Sequence, residues 1–278
     1  MLSRRTLKLY WREIKAIEHI EQSKNMRRIN NMNYDITIGK TTEEFYRMCA
    51  EEIVSVIRNK PNAVIGLSTG RTTGGIHQAM VDIYHENPYD VSKVTIFGLD
   101  EVTGVSTEYF GSCYYMLLHE CVLPLHIPME NYLMLPTHSE NWNIDCKKFC
   151  DELERRGGID LQVLGIGENG HIGFNQPGTP FSQRCFKGSV HDYLEKRIRE
   201  ETNTPEGIEL AGVTLGIADV MYSKRILLCA NTESKREIMR ATLYGEITEE
   251  IPASCLQKHP NLRIICDEAA SCEEMLTK

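Results

Sequence analysis

The segment LGIGENGHIGFNQP, residues Leu164–Pro177, decides how this sequence is interpreted. It begins at the end of an apolar run and then breaks into glycines that surround four polar side chains, Asn169, His171, Asn175 and Gln176. A histidine can exchange protons near neutral pH, and glycines let the backbone approach a ligand closely. The pattern is therefore typical of a catalytic loop that follows a buried strand. A glycine-rich turn around a structural histidine is the alternative.

The glycines of this segment also fit a second pattern. Gly165, Gly167 and Gly170 match GxGxxG, the motif of dinucleotide-binding proteins. That motif requires a helix to begin at its third glycine, with its N-terminus facing the pyrophosphate. Here Pro177 and Gly178 follow, and no helical periodicity begins. The sequence therefore argues against dinucleotide binding, and no cofactor is predicted.

Strands and helices are predicted to alternate on both sides of this segment. The predicted strands cover residues 33–38, 63–67, 93–99, 132–135, 161–166, 210–215, 225–229 and 262–266. The predicted helices cover residues 41–58, 74–84, 113–119, 145–156 and 234–244, the first opening with the capping box Thr41-x-x-Glu44. Such alternation predicts an α/β fold with a Rossmann-like, mostly parallel sheet and helices on both of its faces.

Composition narrows the function classes. The chain has 278 residues, of which 41% are hydrophobic and 25% charged, and a net charge of -8, which argues against nucleic acid as a partner. No apolar run is long enough for a membrane span, and no secretory signal is recognised. The ten cysteines are scattered, and Cys146 and Cys150 lack a second pair that would complete a zinc site. We therefore predict a cytoplasmic protein with reduced thiols and no metal.

The first 31 residues differ from the rest of the chain. They contain eight Lys and Arg residues and three Glu residues, so they form a basic N-terminal arm on an acidic protein. A partial apolar stripe favours a surface helix there. An alternative is that translation starts at Met26 or Met32. Residues 32–278 show no linker or internal repeat and are predicted to form a single domain.

Three loops are predicted to meet at one edge of the sheet, because ligands of such sheets bind outside the carboxyl ends of the strands. The first loop offers hydroxyl and backbone donors suited to a phosphate, and its residues are Ser68, Thr69, Gly70, Arg71 and Thr72. The second contains Asp100, a possible general base if it is not a helix cap or a solvated acid. The third contains His171. Arg199 and Lys235 are cations that could clamp the same phosphate.

The motifs at these positions resemble those of the glucosamine-6-phosphate deaminase (isomerase) family. The matching segments are GLSTG at 66–70, FGLDE at 97–101, GIGENGHIGFN at 165–175 and SCLQKHP at 254–260, and the similarity extends from about residue 34 to residue 268. The resemblance implies a fold shared with 6-phosphogluconolactonases. It also implies conversion of glucosamine 6-phosphate to fructose 6-phosphate and ammonia, a step of amino-sugar catabolism.

The resemblance assigns roles to individual residues. Asp100 matches the aspartate that moves a proton between carbons 1 and 2, and His171 matches the ring-opening histidine, with Asn169 and Gln176 beside it. The phosphate loop matches Thr69–Thr72. The phosphate-binding lysine and arginine match Lys235 and, across an alignment gap, Arg199.

The sequence departs from the family pattern at two of these positions. Gln176 stands where most members have glutamate, and Asn169 where some have aspartate. A glutamine can orient the histidine but supplies no charge to stabilise its protonated form. Slower ring opening, or a preference for galactosamine 6-phosphate, would follow. Lactone hydrolysis and a weakened sugar-phosphate sensor are the alternative functions, and the sequence is compatible with a homo-oligomer.

Overall fold

The computed structural model describes residues 35–190, 192–202 and 204–276. The prediction for the N-terminal arm, residues 1–31, lies outside these ranges. The central feature is a sheet of seven strands, in which every neighbouring pair is parallel. Its strand order is β1-β10-β9-β6-β2-β3-β5. The strands are β1 (Asp35–Gly39), β2 (Val64–Leu67), β3 (Thr95–Gly98), β5 (Tyr132–Leu133), β6 (Leu161–Leu164), β9 (Ile226–Ala230) and β10 (Leu262–Asp267).

A second sheet of three antiparallel strands has the order β4-β8-β7. Its strands are β4 (Asp100–Thr103), β7 (Phe186–Gly188) and β8 (Ala211–Thr214). Only Leu99 separates β4 from β3, so the chain passes directly from one sheet to the other at this residue. The predicted strand at 210–215 forms, but it belongs to this second sheet and not to the parallel one.

Helices connect most of the strands. They are α1 (Thr42–Asn59), α2 (Arg71–Glu86), α3 (Cys113–Leu117), α4 (Trp142–Arg155), α5 (Asp192–Thr202), α6 (Ile217–Met221), α7 (Arg236–Tyr244) and α8 (Glu273–Leu276). A π-helical segment, Leu118–Val122, continues α3, and 3-10 turns cover Met129–Asn131, Glu233–Lys235 and Pro252–Lys258. Thr41 caps α1 as predicted, since the backbone N–H of Glu44 donates to its Oγ1 at 3.2 Å. The second half of the predicted capping box differs, because the Glu44 carboxylate accepts from the N–H of Lys40 at 2.8 Å and not from that of Thr41.

The main hydrophobic core lies between the parallel sheet and the helices α1 and α2, with side chains such as Phe45, Met80 and Ile96 fully buried. Phe97 follows Ile96 on β3 and therefore points to the other face of the sheet. There its ring packs edge-on against Phe149 of α4, with 6.0 Å between the ring centroids. The predicted mostly parallel sheet with helices on both faces is therefore confirmed.

Every helix in the described residues is too short or too polar to cross a lipid bilayer. All ten cysteines lie in the described ranges and are free thiols.

Candidate active site

The carboxyl ends of β2, β3, β6 and β9 open onto one cavity of about 910 Å³. This volume suits a small polar ligand such as a sugar phosphate. The cavity is lined by Tyr46, residues 68–73, Asp100, residues 165–169, His171, Gly173, Asn231, Thr232, Ser234 and Lys235. The structure thus brings the three predicted loops together around a single space, as the rule for parallel sheets requires.

The first wall of the cavity is the loop that joins β2 to α2. Gly70 has φ of 135°, a value that residues with a Cβ rarely adopt, and it directly precedes the first residue of α2, Arg71. The first N–H groups of a helix have no acceptor within the helix. The first turn of α2, which includes Thr72 and Thr73, therefore presents backbone donors and the positive end of the helix dipole to the cavity, an arrangement that favours an anion.

The hydroxyl groups of this loop fix its conformation. Ser68 donates to the carbonyl of Val163 on β6 at 2.9 Å, and Thr72 donates to Oδ1 of Asn231 at 2.6 Å. Thr69 donates to Sγ of Cys113 at 3.2 Å. The loop is thereby attached to β6, to the residue after β9 and to the start of α3.

Asp100 lies at the base of the cavity as the first residue of β4. Its backbone position is fixed by the ladder in which it pairs with Thr214. Burial of the carboxylate raises the pKa of Asp100 to about 6, and a weak hydrogen bond from Cys113 opposes this rise. A carboxylate with such a pKa is ionised at neutral pH and accepts a proton more readily than an exposed aspartate.

The neighbouring Glu101 has a different environment and is fully buried. Its carboxylate accepts hydrogen bonds from the backbone N–H groups of Val102 at 2.7 Å, Cys113 at 2.9 Å and Tyr114 at 2.7 Å. Burial nevertheless raises the pKa of Glu101 to about 7. Glu101 therefore holds the start of α3 against β4, whereas Asp100 faces the cavity.

His171 enters the cavity from the loop that follows β6. Its Nδ1 lies 2.6 Å from Oδ1 of Asn169, and the Nδ2 of Asn169 donates to Oε1 of Gln176 at 3.3 Å. A Cβ on Gly167 would lie 2.1 Å from the imidazole ring, so any other residue at this position would displace the ring of His171. Asn175 anchors the loop by donating to the carbonyls of Ile172 and Leu215, both at 2.9 Å.

The fourth wall follows β9. Lys235 is half-buried at the cavity, and desolvation lowers its pKa while the nearby Glu168 opposes that effect. Thr232 has φ of 76° and ψ of 150°, a conformation that is otherwise almost confined to glycine. Its backbone N–H donates to both carboxylate oxygens of Asp267 at 3.2 Å.

Two of the residues proposed from sequence do not line the cavity. Gln176 contacts Asn169, which does line it. Arg199 on α5 directs its guanidinium elsewhere: it donates to Glu195 at 2.7 Å and to the carbonyls of Pro205 at 2.8 Å and Ile208 at 2.9 Å. The other predicted residues, Ser68, Thr69, Gly70, Arg71, Thr72, Asp100, Asn169, His171 and Lys235, all line it.

Several lining residues are not among those predicted from the sequence, including Tyr46, Asn231 and Thr232. Asn231 and Thr232 could have been found, because they follow the apolar strand β9 directly at its carboxyl end. Tyr46 lies on α1 among residues of ordinary helical pattern, and nothing in the local sequence distinguishes it. Within the described ranges, no group of three or more His, Cys, Asp and Glu side chains is arranged to hold a metal ion.

Comparison with known proteins gives a consistent result. Residues 39–264 match the family model described as glucosamine-6-phosphate isomerases/6-phosphogluconolactonase. The glucosamine-6-phosphate deaminase of Thermoanaerobacter pseudethanolicus is 33% identical over 236 residues, which cover 85% of this chain and 93% of that protein. The corresponding protein of Clostridium acetobutylicum is 35% identical over 229 residues, which cover 82% of this chain and 95% of its own.

Solved structures show the same relationship. A monomeric glucosamine-6-phosphate deaminase superposes with a TM-score of 0.78 at 28% identity, covering 85% of this chain and 98% of that one. The 6-phosphogluconolactonase of Trypanosoma brucei shares the fold, with a TM-score of 0.67 at 16% identity and coverage of 86% and 98%. The chain therefore belongs to the family of glucosamine-6-phosphate isomerases and 6-phosphogluconolactonases.

Proposed function

We propose that this protein is an enzyme that converts an amino-sugar 6-phosphate, with glucosamine 6-phosphate as the first candidate, to the ketose 6-phosphate and ammonia. The observation that carries the proposal is that a carboxylate with a raised pKa, Asp100, and an imidazole, His171, line the same cavity as an anion-binding helix terminus. The similarity to glucosamine-6-phosphate deaminases selects this chemistry from those that the cavity could support.

The first step is opening of the sugar ring. The proton of the C1 hydroxyl must leave, and the ring oxygen must gain a proton. His171 is suited to this transfer because Asn169 fixes the orientation of its ring through Nδ1. Gln176 supports Asn169 in turn.

The second step moves a proton between neighbouring carbons. Asp100 removes the proton from C2 of the opened sugar and returns it to C1. The C1 carbonyl oxygen gains a proton and becomes a hydroxyl, and the nitrogen loses one, so that an imine is left at C2. Water then adds to C2 and ammonia departs, so one water is consumed for each ammonia released. The isomerisation shifts a proton without net oxidation, and it needs neither a redox cofactor nor a metal.

The phosphate group holds the substrate in place during these steps. We assign its binding to the first turn of α2, with Thr69, Gly70, Arg71 and Thr72, and to Lys235 in the wall that follows β9, which contacts the α2 loop through the hydrogen bond from Thr72 to Asn231. Fixing one end of a flexible open-chain sugar reduces the entropy that the reaction must lose, a contribution of several kcal/mol. Arg199 is left out of this site because its guanidinium is held by Glu195 and two carbonyl groups.

The test is ammonia release from purified protein incubated with glucosamine 6-phosphate and, separately, galactosamine 6-phosphate. Release from one of them that is lost in Asp100→Asn supports the proposal and identifies the epimer. Hydrolysis of 6-phosphogluconolactone without deamination would indicate a lactonase. Binding of both sugars without ammonia release would indicate a sugar-phosphate sensor. A large gain in turnover in Gln176→Glu would show that its catalytic site has been weakened.

Two further properties belong to the proposal. The substrates are phosphorylated sugars, which are formed and consumed in the cytoplasm, so we place the protein there. A homo-oligomer is compatible with this activity, and size measurement of the purified protein at several concentrations decides between an oligomer and a monomer.

A further inference from the structure

Cys113 occupies an unusual position between the anion-binding loop and Asp100. Its Sγ lies 3.2 Å from the hydroxyl oxygen of Thr69 and 3.6 Å from Oδ1 of Asp100, both within hydrogen-bonding distance for sulfur. The residue is only 5% exposed. A single thiol thus joins the loop that faces the ligand phosphate to the carboxylate at the base of the cavity.

The backbone around Cys113 is fixed independently of its side chain. Cys113 is the first residue of α3, and its N–H donates to Oε1 of Glu101 at 2.9 Å. Ser112 caps the same helix by accepting the N–H of Tyr115 at 3.1 Å. The Cα of Cys113 is therefore held beside β4, and its almost fully buried thiol lies against Asp100.

The protonation state of the thiol determines the direction of the hydrogen bonds. Burial raises the pKa of Cys113 well above its usual value, so the group remains an S–H at neutral pH. A thiol can donate one hydrogen bond and accept another, both weakly. Thr69 donates to the sulfur, and the S–H donates to the carboxylate of Asp100.

We propose that Cys113 is a positioning residue that holds Oδ1 of Asp100 in place, stabilises its ionised form, and links it to the phosphate-binding loop through Thr69. The proposal deepens the function given above and rests on Asp100 acting as the base of that reaction. Without the thiol, the carboxylate would lose a donor in a desolvated site and would accept a proton at higher pH.

Other ionisable groups surround Asp100 and must be held constant in a test. Glu101 is its neighbour in the chain, and several groups line the same cavity, namely Tyr46, Arg71, Glu168, His171 and Lys235. Substitution of Cys113 changes none of these charges, because the thiol itself is uncharged at neutral pH. A change in the titration of Asp100 on substitution therefore reports the lost contact.

The decisive experiment is NMR titration of the Asp100 carboxyl carbon in the full chain, with Asp100→Asn used to identify its signal. Cys113→Ala is expected to raise the titration midpoint by roughly half a pH unit, and Cys113→Ser, which keeps a donor, to give a lower midpoint than Cys113→Ala. Equal midpoints in the wild type and Cys113→Ala, or in the two variants, would overturn the proposal. If Cys113 only filled space in the fold, Cys113→Ala and Cys113→Ser would give the same titration midpoint for Asp100.

A matched control is available at Cys121, a fully buried thiol in the segment Leu118–Val122. Cys121→Ala removes a buried sulfur from the same helical region and is expected to leave the Asp100 titration unchanged. Comparing the thermal midpoints of Cys113→Ala and Cys121→Ala separates a folding defect from a local effect.

The kinetic consequence is measured separately. The acid limb of kcat/KM for ammonia release should move with the NMR midpoint, whereas KM should change less than twofold in Cys113→Ala. If the wild type releases no ammonia from either amino sugar, the proposed function fails, and the NMR comparison still decides the role of Cys113.

Discussion

The side-chain oxygen of Asn169 lies 2.6 Å from Nδ1 of His171 and 3.2 Å from its backbone N–H. An amide oxygen can only accept, so Nδ1 carries a proton and Nε2 keeps a lone pair when the imidazole is neutral. Asn169 thereby selects one tautomer of His171.

Removal of this oxygen should impair ring opening. Asn169→Leu has a similar size but no acceptor, and we expect kcat for ammonia release to fall by about 10²-fold, the usual contribution of a positioned acid or base. Asn169→Asp keeps the acceptor, so its kcat should fall much less than that of Asn169→Leu. Wild-type kcat in Asn169→Leu would contradict the role given to Asn169.

The raised pKa of Asp100 predicts opposite effects on activity and stability. Activity requires the ionised carboxylate, so kcat/KM should fall as the pH decreases through about 6, and it should be abolished at all pH values in Asp100→Asn.

For stability, a carboxyl group whose pKa is higher in the folded state than in the unfolded state disfavours folding when it is ionised, and this penalty disappears on acidification. Asp100→Asn should therefore stabilise the protein by about 1–2 kcal/mol at pH 7.5 and by roughly a third of that at pH 4.5, which lies between the pKa values of the folded and unfolded states. Urea unfolding at both pH values measures the difference, and equal gains would refute the assignment.

Glu101 should matter for folding more than for chemistry. Its carboxylate accepts three backbone N–H groups, and Glu101→Ala leaves these buried donors without that acceptor. We expect a loss of about 2–4 kcal/mol in the free energy of unfolding. Glu101→Gln retains one carbonyl oxygen but places an NH₂ group near a donor, so its free energy of unfolding should lie between those of the wild type and Glu101→Ala. An unchanged denaturation midpoint in Glu101→Ala would contradict this account.

Lys235 and Arg199 provide a direct comparison of two cations. Lys235 lines the cavity, and Lys235→Ala should raise KM by roughly 10- to 100-fold, the loss expected for a hydrogen bond to a charged group. Arg199→Ala should change KM less than twofold while lowering the thermal midpoint, because Arg199 ties α5 to the segment that follows it. Steady-state kinetics of both variants test the assignment, and a large KM effect at Arg199 would restore it to the phosphate site.

The backbone of Thr232 should be strained. Its φ of 76° with ψ of 150° is costly for a residue with a Cβ, by about 1–3 kcal/mol. Thr232→Gly relieves that strain and should raise the free energy of unfolding by about 1 kcal/mol, allowing for the greater freedom of glycine in the unfolded chain. Thr232→Ala keeps the Cβ and serves as the control, since it should give no such gain.

Much of the fold follows from local sequence patterns. Apolar runs locate the strands β2, β3, β6 and β9, and the capping box at Thr41 locates the start of α1. Because the sheet is parallel, these strand positions alone predict that the loops containing Ser68, Asp100 and His171 meet.

The features that could not be predicted depend on contacts between distant residues. Strand β8 was visible as an apolar run, but its pairing of Thr214 with Asp100 joins residues more than a hundred positions apart. The contact of Cys113 with Asp100 likewise depends on how α3 is held by Glu101. The family resemblance assigns Arg199 to the site across a gap, whereas its local partners, Glu195 and Pro205, determine where its side chain points.

Leu99 links the two sheets, and this has a consequence for how such enzymes can diverge. Its N–H donates to Leu67 of the parallel sheet at 2.9 Å, and its carbonyl accepts from Leu215 beyond β8 at 3.0 Å. The next residue, Asp100, thus follows a residue that is hydrogen-bonded to both sheets, whereas His171 and most of the residues that we assign to the phosphate lie on loops. Exchanges in the loops other than the one that carries His171 can therefore alter which molecule is accepted without displacing Asp100, so new specificities are accessible to this scaffold while its buried carboxylate stays in place.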